Sequence, residues 1–146
     1  MIRRFEPKDI PEVLKIERAS FKDPYEMSTF LYLWKVEPEG FLVAEVKGKV
    51  IGYVMAYSRD EEGEIVSISV MPEFRRKGIG RKLMEEAIEY LKGKGVTKVG
   101  LEVRKGNEEA IDFYERLGFE KAYSIPKYYP DGEDGVKMVR CLGLVS

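Results

Sequence analysis

Apolar residues recur along the chain with two different spacings. In seven stretches, β-branched and aromatic residues alternate with polar residues or form short apolar runs, which is typical of strands. These stretches are 1–7, 41–46, 50–58, 65–71, 96–103, 119–125 and 136–142. Four other stretches place apolar residues three or four positions apart, and this spacing predicts amphipathic helices. The four stretches are 8–21, 27–36, 79–91 and 107–117.

Capping and turn residues define the ends of these elements. The residues predicted at helix ends are Asp9, Ser28 and Asn107 as N-caps and Gly93, Gly95 and Gly118 as terminators. Lys47-Gly48-Lys49 is predicted to join two strands in a hairpin, and 59–64 is predicted to be a polar turn. Consecutive strands, followed by strands that alternate with helices, indicate an α/β protein with a mixed sheet and helices on its faces. A single domain over 1–146 is expected from the length of the chain.

Composition narrows the classes of function. The net charge is -1 although 35% of the residues are charged, so a globally basic nucleic-acid binder is not expected. The chain has no histidine, which removes imidazole bases and histidine metal sites, and no metal site is predicted. A single cysteine, Cys141, excludes an intrachain disulfide. Neither a signal peptide nor an apolar run of membrane-spanning length is found, so a cytoplasmic protein without membrane contact is expected.

A basic, glycine-containing segment stands at the start of the third predicted helix. Five cations surround Gly78-Ile79-Gly80, and they are Arg75, Arg76, Lys77, Arg81 and Lys82. Free N–H groups at a helix N-terminus, together with glycines that permit close approach, suit a diphosphate. The segment does not match the P-loop pattern, and the dinucleotide pattern would need a glycine where Leu83 stands. The alternative is a solvated basic turn.

Two motifs in this part of the chain resemble the GNAT superfamily of acyl-CoA N-acyltransferases. Arg75, Gly78 and Gly80 fill the pattern Gln/Arg-x-x-Gly-x-Gly/Ala after a strand and before a helix. Asn107 and Tyr114 fill the second motif, a strand–helix–strand unit whose helix closes with "LGF". The resemblance covers essentially the whole chain and is sharpest over 64–119. It implies the GNAT fold, a mixed, mostly antiparallel sheet of about seven strands flanked by about four helices.

A third stretch narrows the resemblance. The segment "KYYPDGEDGVKM" at 127–138 is similar to the tail of the protein N-terminal acetyltransferases, which include bacterial ribosomal-protein enzymes and their archaeal relatives. The segment "LEVR", which contains Glu102, is also similar to that group. Lys105-Gly106 departs from the small pair that often precedes the asparagine. The loop "FKDPYEMS" matches no single subgroup, so the first residue of the substrate stays open.

The resemblance implies acetyl-CoA as the cofactor, with CoA as the product. The implied binding residues around the basic segment and the second motif are Arg75, Arg76, Lys77, Gly78, Ile79, Gly80, Arg81, Asn107 and Tyr114. Ile68, Ser69 and Val70 precede the basic segment and are implied to pair with the amide-containing pantetheine arm. Ile68 and Val70 suit the core equally well, and Asn107 also suits a helix N-cap.

Acetyl transfer from a thioester to an amine needs a proton donor for the thiolate and a base for the amine. The resemblance implies Tyr114 as the donor, because a phenol of pKa ~10 stays protonated at neutral pH. Its place on an apolar stripe also fits a core aromatic. Glu102 is favoured as the base, since a role at a cleft with a raised pKa would explain a carboxylate between apolar strand residues. Pairing with Arg104 or a lysine is the alternative for Glu102, and Glu64 is the rival base.

The acceptor is predicted to be the α-amino group of a protein or peptide N-terminus. With a pKa of ~8 against ~10.4 for lysine, an α-amino group costs roughly 3 kcal/mol less to neutralise at pH 7. The residues predicted to line the peptide site are Tyr25, Tyr32, Glu64, Tyr128 and Tyr129. Transfer to lysine side chains or small amines, and an acyl-CoA-binding module without catalysis, are the alternatives. A monomer or weak homodimer that binds no nucleic acid is expected.

Overall fold

The computed structural model describes residues 1–143. Its strands are β1 (Ile2–Arg4), β2 (Phe41–Val46), β3 (Lys49–Arg59), β4 (Glu62–Val70), β5 (Lys98–Arg104), β6 (Glu120–Ile125) and β7 (Gly135–Cys141). Its helices are α1 (Ile10–Ser20), α2 (Met27–Val36), α3 (Ile79–Gly93) and α4 (Glu108–Arg116). Short 3₁₀ turns occupy Pro7–Asp9, Pro38–Gly40 and Pro72–Phe74. The predicted strands and helices, and their order along the chain, are confirmed.

The polar turn predicted at 59–64 is wrong in extent. Only Asp60 and Glu61 form the turn, and β4 already begins at Glu62. Glu62 and Gly63 pair with β3 on one side and with β5 on the other. Hydrogen bonding to two neighbouring strands therefore outweighs the low strand propensity of this polar segment.

The predicted helix cap at Ser28 is wrong, and the one at Asp9 is right in position but does not cap the helix through its side chain. The second helix begins at Met27 with Glu26 in the N-cap position, so Ser28 lies inside the first turn. Asp9 does stand at the N-cap of α1, but its carboxylate makes no bond to that helix. It accepts two hydrogen bonds from Arg3, at 2.8 and 2.9 Å. Charge-assisted hydrogen bonds to a guanidinium are stronger than a hydrogen bond to a neutral backbone N–H. This difference explains why the Asp9 carboxylate binds Arg3 and does not cap α1.

The strands form one sheet in the order β1-β2-β3-β4-β5-β7-β6. Neighbouring strands are antiparallel except for β4 and β5, which are parallel and are joined through α3. The predicted mixed, mostly antiparallel sheet is confirmed. Among residues 1–143, no helix is both long and apolar enough to cross a membrane.

The sheet opens between β4 and β5. The two strands pair only where Glu62–Glu64 meets Lys98–Gly100, although both continue well beyond these residues. A β-bulge helps to separate them: Ile65 pairs with Ala56 and Ser67 with Met55, which leaves Val66 as the extra residue of β4. An extra residue bends its strand and increases the local twist. The result is a gap in the middle of the sheet.

Helices cover both faces of the sheet. The face under α3 and α4 carries a cluster of buried residues that includes Leu83, Leu91 and Ile111. The face under α1 and α2 carries a second cluster, in which Phe5 stacks on Phe41 with ring centroids 4.0 Å apart. Alternate residues of β3, β4 and β5 contribute to opposite faces, as strand geometry requires. The gap between β4 and β5 therefore connects the two layers of helices.

Candidate active site

A cavity of about 440 Å³ occupies the gap between β4 and β5. Its walls come from both faces of the sheet. On one side lie α1 and the loop that follows it, including Glu17 and Tyr25, and on the other side lie Asn107 and Tyr114 of the α4 region. Tyr129 and Glu133 of the β6–β7 loop close the rim. The cavity therefore brings groups from opposite faces of the sheet to one space.

Tyr114 reaches this cavity from α4. Its ring packs edge-on against Phe113 and Phe119, with centroid distances of 5.4 and 6.1 Å. Burial, together with the nearby Tyr129, raises the pKa of Tyr114 to about 12. Its hydroxyl is therefore protonated at neutral pH, as a proton donor must be.

Two carboxyl groups lie together on the α1 and α2 face of the sheet. Burial and the neighbouring Glu102 raise the pKa of Glu64 to about 7, and Lys137 acts in the opposite direction. Glu102 in turn accepts a hydrogen bond from Lys137, at 3.3 Å between Nζ and Oε1. Glu64, the rival base of the sequence analysis, therefore has a raised pKa. The predicted pairing of Glu102 with a lysine is also present.

Tyrosines from two loops stand beside these carboxyl groups. Burial raises the pKa of Tyr25 to about 12 and also raises that of Tyr128, and Glu64 and Glu102 contribute in both cases. Tyr129 packs edge-on against Tyr128 with ring centroids 4.9 Å apart. Three of the predicted substrate-binding tyrosines thus gather at the cleft. Tyr32 does not join them, because it is 59% exposed on α2 and does not line the cavity.

Arg104, at the end of β5, joins the two loops that carry these tyrosines. Its guanidinium binds Asp23 of the α1–α2 loop and, on the other side, Asp131 and Glu133 of the β6–β7 loop. It also lies over the ring of Tyr129, 4.2 Å from the centroid. The Arg104 guanidinium lowers the pKa of Glu133, so this contact stays ionised at neutral pH. One side chain thereby holds both walls of the cleft.

Glu17 is a cavity residue that the sequence analysis missed. It is 1% exposed, and its carboxylate accepts hydrogen bonds from Tyr53, from Ser67 at 2.8 Å and from the Tyr25 N–H at 3.0 Å. It therefore anchors the loop that presents Tyr25. The available signal was its spacing, because a glutamate seven residues after Ile10 falls on the buried stripe of α1.

The basic segment forms the entry to α3. Gly78 stands at the N-cap with φ +82°, and no side chain caps the helix, so its first N–H groups are left free for an anion. Arg76 and Lys77 are exposed beside it. Gly80 permits close helix packing, because a Cβ there would lie 3.2 Å from Phe113. These features fit a diphosphate, and the cations of the basic segment supply the positive charge that attracts it.

Other predicted cofactor residues have structural partners. Arg75 donates through Nε to the Val70 carbonyl at 2.9 Å, which ties the basic segment to the end of β4. Ser69 contacts Ser20 of α1, with 2.6 Å between their hydroxyl oxygens. Ile68 and Val70 are buried in the core, while Arg81 lies 3.9 Å from Glu85. The β5-facing edge of β4 remains open along this stretch, which leaves main-chain groups for an amide-containing arm.

The predicted role of Asn107 as the N-cap of α4 is confirmed. Its Oδ1 accepts a hydrogen bond from the Ala110 N–H at 3.1 Å, which caps α4. The same residue lines the cavity. Capping and contact with a bound molecule are therefore compatible.

A second cavity, of about 340 Å³, lies away from these groups between the end of α2 and α3. Glu37 lines this cavity, and its carboxylate accepts hydrogen bonds from the Tyr90 hydroxyl and from Ser58. The Ser58 N–H donates at 2.9 Å and the Ser58 hydroxyl at 2.7 Å. The acceptor capacity of Glu37 is thus used within the fold, which favours the cavity between β4 and β5 as the functional one.

Comparison with known proteins agrees with this geometry. The model of the acetyltransferase (GNAT) family matches residues 10–119. An uncharacterized N-acetyltransferase of Methanocaldococcus jannaschii is 39% identical over 141 residues, which cover 96% of this chain and 90% of the relative. An N-alpha-acetyltransferase of Sulfurisphaera tokodaii is 34% identical over 150 residues, which cover 94% of this chain and 90% of the relative.

The fold agrees as well. The crystal structure of Ard1 from Thermoplasma volcanium superposes with a TM-score of 0.93 at 36% identity, and the match covers 99% of this chain and 98% of that one. The expected fold and the expected resemblance to archaeal N-alpha-acetyltransferases are confirmed. Because the family model spans most of the chain and the N-alpha-acetyltransferase of Sulfurisphaera tokodaii is similar over nearly all of it, this protein belongs to the GNAT family and is an acyl-CoA N-acyltransferase.

Proposed function

We propose that the protein transfers the acetyl group of acetyl-CoA to the α-amino group of protein N-termini. The observation that carries the proposal is the cavity between β4 and β5, which Tyr114 and Glu102 both line, with Glu64 adjacent to Glu102. The similarity to an archaeal N-alpha-acetyltransferase supports the choice of acceptor.

The basic segment and the open edge of β4 fit acetyl-CoA. The free N–H groups around Gly78, with Arg76 and Lys77, suit its diphosphate, and the unpaired edge of β4 suits its amide arm. When bound, acetyl-CoA supplies a thioester carbonyl that the amine attacks, so that a C–N bond forms and the C–S bond breaks. Tyr114 donates its hydroxyl proton to the sulfur that leaves, and the second proton that the nitrogen loses as the amide forms restores the Tyr114 hydroxyl through solvent.

Glu64 is our choice for the base, in place of Glu102. A base works best when its pKa lies near the operating pH, and the pKa of Glu64 is about 7. Glu102 is engaged by Lys137 and contributes negative charge that favours binding of the ammonium form of the substrate. Glu64 then accepts one proton from that ammonium, directly or through a water, and the neutral amine can attack.

The free energy needed to deprotonate the acceptor favours an N-terminal amine over a lysine side chain. Neutralising an α-amino group of pKa ~8 at pH 7 costs about 1.4 kcal/mol, whereas a lysine of pKa ~10.4 costs roughly 3 kcal/mol more. A carboxylate with a pKa of about 7 is a modest base, so the smaller cost suits it. The loops with Tyr25 and Tyr128 form walls on either side of the cleft, which fits an extended peptide.

The test is acetyl-CoA turnover, followed as thiol release, on short peptides with free N-termini. The same peptides with blocked N-termini and one internal lysine run in parallel. We expect turnover on the free peptides, and a fall in kcat of about 100-fold in Tyr114→Phe, the low end of the range for general acid catalysis. CoA affinity should stay unchanged, since the ring and its contacts with Phe113 and Phe119 remain.

Tyr123→Phe is the matched control, because Tyr123 is 61% exposed on β6 and lies outside the cavity. Its kcat should equal that of the wild type. Turnover on the blocked lysine peptides alone would replace the proposal with lysine acetylation. CoA binding without turnover of any peptide or small amine would indicate a binding module.

A further inference from the structure

Lys137 occupies an unusual place beside the two carboxyl groups. It lies on β7 directly opposite Glu102 of β5, and the two side chains are each 22% exposed. Its Nζ lies 3.3 Å from Glu102 Oε1. The ion pair is therefore partly shielded from water. This shielding makes it stronger than a fully exposed ion pair.

Gly100 makes room for this ammonium. A Cβ built at position 100 would lie 2.8 Å from Cε and 2.9 Å from Nζ of Lys137, so the lysine side chain lies against the bare backbone of β5. Gly100 is also the partner of Glu64 in the pairing of β4 with β5. The three charged side chains thus come from adjacent strands within two residues of one level of the sheet, and the ammonium acts on both carboxyl groups.

The charges at this point do not balance. Two carboxyl groups share one ammonium, and tyrosines surround them: Tyr25 from the α1–α2 loop, Tyr128 and Tyr129 from the β6–β7 loop, and Tyr57 opposite Glu64 on β3. A further carboxylate, Glu17, acts on Tyr25. Burial raises the pKa of Tyr25 and Tyr128, so both are neutral at neutral pH. Among residues 1–143, Lys137 is the cation that acts on Glu64.

We propose that Lys137 is a positioning residue that gives the two carboxyl groups separate roles. Its ammonium pairs with Glu102, which stays the fixed anion of the cleft, and leaves Glu64 as the group that takes a proton from the substrate ammonium. This inference rests on the proposed function. Its basis is that the cross-strand contact, the space at Gly100 and the pairing of Glu64 with Gly100 together place one counterion between two acids.

The consequence is a defined pH dependence. Lys137 favours the ionised form of Glu64, whereas burial and Glu102 oppose it. Removing the ammonium therefore raises the pKa of Glu64 further, and less of the base is ionised at neutral pH. In Lys137→Met we expect the acidic limb of kcat/KM to move up by about one pH unit. Activity at pH 7 falls about fivefold, because the ionised fraction of Glu64 drops from about one half to about one tenth, and it recovers near pH 9.

Lys137→Arg keeps the charge and should restore the wild-type profile, which a loss of packing alone would not predict. Lys49→Met is the matched control, because Lys49 is an exposed lysine at the start of β3, outside the cavity. Its profile should be unchanged. A Lys137→Met profile that superimposes on the wild type would overturn the inference.

A titration without substrate separates this inference from the proposed function. The Glu64 carboxyl, observed by ¹³C NMR and assigned with Glu64→Gln, should titrate at higher pH in Lys137→Met than in the wild type. Gly100→Ala provides a second variant, because its Cβ displaces the ammonium while keeping the charge. It should shift the titration in the same direction. Identical Glu64 titrations in all three proteins refute the inference, whereas shifted titrations with no peptide turnover refute only the proposed function.

Discussion

The Glu64 carboxyl shows how a single side chain can be set for proton transfer at a cost in stability. Its pKa is raised from 4.5 to about 7 because it is partly buried beside Glu102. In the unfolded chain the same group ionises near its ordinary value. The unfolded state therefore releases this proton at lower pH than the folded state does. Stability from this group is greatest below pH 4.5 and declines as the pH rises towards 7.

Glu64→Gln should accordingly stabilise the protein in a pH-dependent way. Glutamine keeps the shape of the protonated acid and carries no charge to bury. We expect the free energy of unfolding to rise by about 1–2 kcal/mol at pH 8, after allowance for solvent screening of this partly open site, and by much less at pH 4. Urea unfolding at both values measures the difference.

The control for this comparison is Glu62→Gln, an exposed glutamate on the same strand. It should change the free energy of unfolding little at either pH. An equal effect of Glu64→Gln at pH 4 and pH 8 would contradict the assignment of a raised pKa. We expect Glu64→Gln to lose acetyl transfer while it gains stability. Such a trade-off between stability and activity is common for active-site residues.

Residue roles differ in how far the sequence can predict them. Tyr114 and Asn107 lie in a local motif, so their positions could be predicted without knowledge of strand pairing. Lys137 could not be assigned in this way, because its contact with Glu102 depends on the register of β5 against β7. The choice between Glu64 and Glu102 depends on the same register. Contacts between residues far apart in sequence are fixed by packing of the whole sheet.

At the scale of elements, Arg104 connects a strand end to two loops. The α1–α2 loop and the β6–β7 loop approach the cleft from opposite sides and have little regular structure of their own. The guanidinium bridges them through Asp23 on one side and Asp131 and Glu133 on the other. Its side chain contacts three carboxylates at once, and such a network contributes more than a single surface ion pair.

Arg104→Met should loosen both loops together. We expect faster amide hydrogen exchange over 22–26 and 127–134, and a rise in the KM for peptide of about tenfold, equivalent to about 1.4 kcal/mol, with a smaller change in kcat. Arg104→Lys should recover only part of the effect, because an ammonium cannot reproduce the planar fork.

Lys105→Met serves as the neighbouring control, since Lys105 is exposed and only reaches Asp134 at 4.0 Å. Its exchange pattern should match that of the wild type. Faster exchange confined to the β6–β7 loop in Arg104→Met would show that Asp23 does not depend on the arginine.

Elements were easier to predict than the opening between them. Hydrophobic periodicity located the helices and the central strands because it records burial on one face, whereas β6 is exposed along nearly its whole length. The turn at 59–64 was predicted too long because hydrogen bonds from two neighbouring strands hold Glu62 and Gly63 in β4. The polarity of the local sequence does not reveal such bonds. The bulge at Val66 and the separation of β4 from β5 are likewise products of pairing, and no local pattern indicated either.

At the scale of the whole molecule, charge is distributed unevenly. The net charge is only -1, yet cations gather at the start of α3 and carboxyl groups gather at the cleft. A diphosphate and an ammonium are thus attracted to different regions of one nearly neutral protein. This separation lets a small domain bind ligands of opposite charge at the same time.

Binding of CoA should therefore depend on ionic strength. Between 50 and 500 mM salt we expect the Kd for CoA to rise roughly threefold to tenfold, because screening weakens the exposed cations Arg76, Lys77 and Lys82. Isothermal titration calorimetry measures the change. Pantetheine, which lacks the phosphates, should bind with little salt dependence. A Kd for CoA that does not respond to salt would contradict a role for these cations.

The opening between β4 and β5 leaves main-chain groups of both strands without a sheet partner on that side. Such groups favour any molecule that supplies amide hydrogen bonds. If an acyl donor binds there as proposed, it acts as part of the fold, and at a concentration 100 times its Kd we expect it to add about 2.7 kcal/mol to the free energy of unfolding. We then expect the abundance of the protein in a cell to follow the supply of that donor, because a scarce donor leaves the chain unfolded more often and open to degradation.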